Sequence, residues 1–155
     1  MGGDRFRILA PVDFSEYSAL GVLQAAELAR RFGAELVVLN VVPTNQAEAM
    51  VWAPGYPWEQ VVEDVGREAR TFLEENVPQE VLDGLEVRIL VSAGVPSLQI
   101  VRAADEERAD LIVMATHGRT GIKHTFLGSV AEAVVRLARK PVWTVRKEAF
   151  AFEKP

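Results

Sequence analysis

Five short apolar runs, separated by longer stretches of helical periodicity, predict an α/β fold: an open five-stranded parallel sheet with helices on both faces and right-handed crossovers. Most of these runs are apolar without alternation, the pattern of strands covered on both sides. At 155 residues the chain has the length of one ordinary domain. A fold of that size buries roughly 68–70% of the surface its unfolded form exposes, so it needs neither disulfides nor a structural metal.

The first strand is read from Phe6 to Val12, apolar except at Arg7. Ser15 then caps a helix running through Arg31. Ala19, Val22, Leu23, Ala26 and Ala29 give that helix the spacing of an inner face, and Gly33 stops it. Leu36 to Val42 is the second strand, interrupted only by Asn40, and Pro43 to Pro57, with Trp52 and Tyr56, reads as a loop. A second helix from Trp58 to Asn76 turns Val61, Val62, Val65, Ala69, Phe72 and Leu73 inward and ends at Pro78. Leu85 to Val91 alternates instead, which predicts a third strand with one wetter face, near a sheet edge.

The third helix opens at Pro96, a favourable first-turn residue, and carries Leu98, Ile100, Val101 and Ala104. Leu111 to Ala115 is the fourth strand. The fourth helix runs from about Gly128 to Ala138 on Val130, Val134, Val135 and Leu137. Pro141 prevents its continuation and opens the fifth strand, Pro141 to Val145, before a short tail containing Phe150 and Phe152.

Composition removes several function classes. There is no cysteine, so a disulfide framework, a thiol nucleophile and a cysteine-ligated zinc site are impossible. Only His117 and His124 are available for a histidine metal centre, so no metal is expected. Seventeen basic against 22 acidic residues, a net charge of −5, disfavour nonspecific nucleic-acid binding. No apolar run approaches the ~20 residues of a membrane span, and Met1 to Arg7 lacks a signal-peptide core, so a cytoplasmic location is expected. The P-loop, the dinucleotide fingerprint after the first strand and the GxSxG elbow are all missing. A phosphorylated receiver domain would need an acidic acceptor where strand three ends in Val91-Ser92-Ala93.

In an open parallel sheet, ligands bind beyond the carboxyl ends of the strands. Pro11-Val12-Asp13-Phe14-Ser15 follows strand one; Ala115-Thr116-His117-Gly118-Arg119-Thr120-Gly121 follows strand four, and Gly128-Ser129-Val130 opens the last helix. Glycine allows close backbone approach, and a helix N-terminus offers unpaired amides and a positive dipole end. The amides near Gly128, Ser129 and Val130, with the Ser129 hydroxyl, therefore suit phosphate oxygens, and Asp13 suits ribose hydroxyls. Blander roles are open as well. Ser129 serves as an N-cap, Gly118 and Gly121 turn a loop, and Asp13 caps the first helix beside Ser15. His117 is either a general base or a hydrogen-bonding loop residue; Arg119, Lys123 and His124 either attract phosphate or are solvated.

From Phe6 to Arg146 the chain resembles the universal stress proteins, whose nucleotide-binding signature is Gly, two residues, Gly, nine residues, then Gly with Ser or Thr. Here the stretch reads Ala115-Thr116-His117-Gly118, nine residues, then Gly128-Ser129. The Val12-Asp13-Phe14-Ser15 turn, Asp110 to Met114 and Pro141 to Val145 carry the same likeness. The resemblance implies one domain (core 5–147, tail 148–155) with a Rossmann-like sheet of the adenine nucleotide alpha hydrolase kind, ordered 3-2-1-4-5. It implies an ATP-binding stress-response protein, with or without Mg2+. Pro11, Val12, Asp13 and Val41 would lie around adenine and ribose; Met114, Ala115 and Gly118 would form the far wall; Gly128, Ser129 and Val130 would hold phosphates. It further implies a homodimer through Val142, Trp143, Thr144 and Val145, with Trp143 adding contact area. Ala115 in place of the first signature glycine leaves a second reading, a dimeric interaction module of the same fold that binds no nucleotide. Slow ATP hydrolysis is the most catalysis the residues suggest, with His117 and Asp13 as the available groups.

Overall fold

In the computed structural model, which describes residues 5–46, 55–117 and 127–147, the elements are β1 (Arg7–Val12), α1 (Glu16–Phe32), β2 (Glu35–Pro43), α2 (Trp58–Asn76), α3 (Gln79–Leu82), β3 (Val87–Gly94), α4 (Pro96–Glu106), β4 (Leu111–Ala115), α5 (Ser129–Leu137) and β5 (Val142–Val145). All strand pairs are parallel, in the order β3-β2-β1-β4-β5, the open Rossmann-like arrangement expected. Because successive side chains point to opposite faces, the central strands feed two cores. Ile8, Ala10, Val12 and Val113 pack with Val22, Ala26 and Leu73 beneath α1 and α2. Leu9, Val37, Ile112 and Met114 pack with Ile100, Ala104 and Val134 beneath α4 and α5.

Local signals for α1 hold. The Ser15 side chain caps it by accepting from the Ser18 amide at 3.1 Å, and Gly33 ends it at φ 61°, ψ 30°. The Ala34 amide reaching Ala29 O at 2.8 Å completes the Schellman arrangement. The inner face, however, is rotated from the expected one. Ser18, Gly21 and Ala25 are buried beside Val22, Ala26 and Ala29, whereas Ala19 and Leu23 are only partly covered. Close packing of a helix on a sheet selects small residues, and a search for large apolar ones overlooks them.

The other differences have similar causes. Pro78 ends α2 and also begins the short α3, a second use the sequence reading missed. β3 starts later and runs further than expected, from Val87 to Gly94, as an edge strand with every position half-buried. Residues 44–46, expected to be loop, are helical. Leu98 on α4, and Val135 and Leu137 on α5, are exposed rather than core. The last two belong to a helix at the β4–β5 end of the sheet, and β5 is its edge strand among the described residues. Trp52, Phe150 and Phe152 lie outside the described residues.

Candidate functional site

The chain leaves β1 toward β2 on one side and β4 toward β5 on the other, so the carboxyl ends of β1 and β4 diverge into a crevice. A cavity of about 510 Å³ opens there, within the range of small-molecule sites. Pro11, Val12 and Asp13 line it from the end of β1, Val41 from β2, Met114 and Ala115 from β4, and Gly128, Ser129 and Val130 from the start of α5. Gly118, with Arg119, Gly121, Lys123 and His124, lies outside the described residues.

The β1 side is fixed by short-range bonds. Asp13 accepts from the Ser15 amide at 3.1 Å through Oδ1, while its own amide donates to Ser18 Oγ at 3.3 Å. Asp13 thus braces the start of α1 while Ser15 caps it. Asn40, buried in β2, donates its side-chain amide to Val12 O at 2.9 Å and ties the last β1 residue to its register partner. Phe14 takes φ 63°, which for a bulky residue costs on the order of 1–3 kcal/mol. Its ring meets Phe72 edge-on at 5.4 Å, a contact that holds the strained turn against α2.

The β4 side closes on the helix. Thr116 is buried, its amide donates to Val145 O at 2.9 Å, and its carbonyl accepts from the Gly128 amide at 2.5 Å. A Cβ on Gly128 would stand 2.9 Å from Thr116 O, so glycine is required by the backbone approach itself. Gly128, and not Ser129, is the N-cap of α5. Ser129 is the first helical residue, and its hydroxyl is not spent on the role expected of it. The first intrahelical bond is Glu132 N to Gly128 O at 2.9 Å, so the Ser129, Val130 and Ala131 amides have no partner within the helix.

Ala115 keeps extended backbone, paired with Val145, and positive φ among described non-glycine residues occurs only at Phe14 and Arg108. Strand alternation puts Ala115 on the same side of the sheet as Val113, opposite to Met114, and at the strand end it also lines the cavity. On that face Gly21 of α1 comes so close that a Cβ there would stand 3.0 Å from Ala115 N. His117 also lines the cavity; its Nδ1 is hydrogen-bonded to Thr116 Oγ1 at 2.9 Å and its ring lies 5.8 Å from that of Tyr17. Behind Tyr17, Lys147 pairs with Glu16 at 2.7 Å and lies 5.5 Å above the tyrosine ring.

Carboxylates in the lining are Asp13 and Glu68, and no lysine or arginine lines the cavity among the described residues. Nor do three His, Asp or Glu side chains gather there or elsewhere among the described residues in a way that could hold a metal ion. No helix of the described residues is long and apolar enough to cross a membrane. Phe14, Asn40 and Thr116 were not anticipated as site residues. Asn40 had a readable signal, as the one polar interruption of an apolar strand, whereas the strain at Phe14 had none.

Comparison with known proteins agrees with this geometry. The model of the universal stress protein family matches residues 5–146. Universal stress protein MJ0531 of Methanocaldococcus jannaschii is 34% identical over 91% of this chain and 82% of its own length. Among solved structures, that of MJ0577 from the same organism superposes with a TM-score of 0.73 at 26% identity, covering 94% of this chain and 99% of that one. A universal stress protein from Archaeoglobus fulgidus, solved in complex with dAMP, has a TM-score of 0.60 at 25% identity over 90% of this chain and 96% of its own. The chain described here belongs to the universal stress protein family.

Proposed function

We propose that this protein is an adenine-nucleotide-binding stress-response protein of the cytoplasm, taking ATP or a close adenylate and acting as a homodimeric regulatory or protective module. The observation that carries the reading is the cavity of about 510 Å³ at the β1/β4 switch point, whose described lining includes each expected nucleotide-binding residue apart from Gly118. Val12 and Val41 offer apolar walls to a base, Asp13 offers carboxylate oxygens to ribose hydroxyls, and the α5 first turn offers amides and the Ser129 hydroxyl to phosphates. Magnesium would arrive bound to the phosphates rather than in a protein cage. The dAMP complex of the A. fulgidus relative supports an adenylate as the ligand class.

The competing interaction-module reading drew on Ala115. Ala115 keeps negative φ, a backbone that a methyl tolerates, so the substitution leaves the nucleotide reading open. The β5 edge, with Trp143 half exposed, is the surface we assign to the dimer. Titration calorimetry with ATP and magnesium is the direct test; absence of heat and of thermal stabilisation at millimolar nucleotide would overturn the proposal.

A further inference from the structure

We infer that Glu68 is the specificity-determining residue at the base end of the cavity. Its carboxylate accepts a hydrogen bond from the exocyclic amino group of the purine, so the site selects a 6-aminopurine nucleotide over one without that group. The inference rests on the nucleotide reading above and deepens it, since apolar walls and helix amides hold any purine nucleotide alike. Three observations carry it. First, the cavity has two chemically different ends. The start of α5, from Gly128 to Ala131, closes it beyond β4. β2 lies two strand positions from β4, roughly 10 Å away, and there Val41, Val42 and Pro43 of the strand face Val65 and Glu68 of α2. Val61 and Val65 pack with Val42 and seat α2 over the end of β2; Glu68, three residues after Val65, shares its face of the helix.

Second, the acceptors of Glu68 are unspent. Among the described residues it has neither a hydrogen bond nor an ion pair, and Arg67, its neighbour in the shallow groove toward Thr71 and Glu75, is committed elsewhere. The Arg67 guanidinium donates to Glu63 Oε1 and Asp64 Oδ1, both at 3.1 Å. Third, the chemistry is one-sided. A carboxylate accepts and does not donate, and the 6-amino group is the only N–H donor on the base of an adenosine nucleotide. Of the other polar side chains at this end, Asn40 donates to Val12 O at 2.9 Å, and Gln46 can either donate or accept, so neither imposes a sign. Negative charge here also repels phosphates, which directs the nucleotide with its base toward α2 and its phosphates toward α5. Because Glu68 is exposed, at the mouth of the cavity, its bond replaces one to water and is worth about fivefold in affinity.

The test is calorimetry of the full chain with ATP and with purine ribonucleoside triphosphate, which is ATP without its 6-amino group, on wild type, Glu68→Ala and Glu68→Gln. The wild type should prefer ATP about fivefold, because the analogue leaves the carboxylate without its donor. Glu68→Ala should bring the ratio of the two affinities close to one, while Glu68→Gln, whose amide oxygen still accepts, should keep part of the preference. The ratio is the readout because the charge lost in either variant acts on both triphosphates equally. Equal affinities in the wild type, or a preference undiminished in Glu68→Ala, overturns the inference, as does loss of both ligands together in that variant. Failure of the wild type to bind either triphosphate overturns the nucleotide reading itself and is thereby distinguished. Circular dichroism checks that the fold is kept, as expected for an exposed helical position changed to a good helix former.

Discussion

Gly128 has no side chain because the Thr116 carbonyl occupies the space one would take, 2.9 Å from a Cβ, and the same approach brings the α5 amides to the cavity. Gly128→Ala should therefore damage both functions of the position. Overpacking of this kind costs about 1–3 kcal/mol of stability, measurable by denaturant unfolding, and the displaced first turn should weaken ATP binding at least tenfold. Ser129→Ala separates them. Since Gly128 is the cap, losing the Ser129 hydroxyl should leave stability within about 0.5 kcal/mol. ATP affinity should fall roughly tenfold or more, the value of one hydrogen bond to a charged oxygen. A large stability loss with unchanged affinity would mean that the hydroxyl serves the helix and not the ligand.

At the scale of the element, α1 carries three positions whose substitutions should rank differently. Ser15→Ala removes a side-chain cap, about 1 kcal/mol. Gly33→Ala forces a Cβ onto φ 61° with open space around it, again about 1 kcal/mol. Gly21→Val should be the worst of the three, because its Cβ alone would stand 3.0 Å from Ala115 N and the branched carbons would lever α1 off β4. Thermal unfolding of the three variants checks the order; a Gly21→Val protein as stable as Gly33→Ala would refute the close approach. The two caps were readable in the sequence because capping is a contact between residues three to five apart. Gly21 was not, since what forbids a side chain there belongs to β4, more than ninety residues along. That Gly128 rather than Ser129 is the cap was not readable for a related reason: which of the two begins the helix depends on where Thr116 holds the chain.

Across the whole molecule, charge is organised at the end of the sheet opposite the cavity. Glu35, buried at the start of β2, accepts from Arg7 Nε at 2.6 Å and Arg88 Nε at 2.9 Å, and both arginines also bond Glu107. Burial alone pushes the Glu35 carboxyl up, but the hydrogen bonds and charges of Arg88 and Arg7 outweigh it and hold it below its usual 4.5. A carboxyl depressed on folding stabilises the native state above its unfolded pKa, and that stability is lost as pH falls through the folded value. Unfolding free energy should therefore decline below about pH 4.5. Glu35→Gln should remove part of that decline and cost roughly 2 kcal/mol at neutral pH, discounted because Arg88 reaches solvent. A variant with the wild-type pH profile would show that other groups govern acid unfolding. Assembly is tested at the same scale: Trp143→Glu on the exposed β5 edge should convert a dimer to a monomer in sedimentation, with the fold retained by circular dichroism.

By itself the sequence determined the order of the five strands and the four longer helices, the two-sided burial of the central strands and the caps of α1. These follow from apolar period and from short-range backbone chemistry, which act between near neighbours. Tertiary structure alone decided which small residues of α1 face the sheet, which apolar residues of α4 and α5 stay exposed, that Phe14 is strained, and that Gly128 must lack a side chain. Each of those depends on how segments distant in the chain approach one another, and that distance is set by the packed sheet rather than by any local pattern.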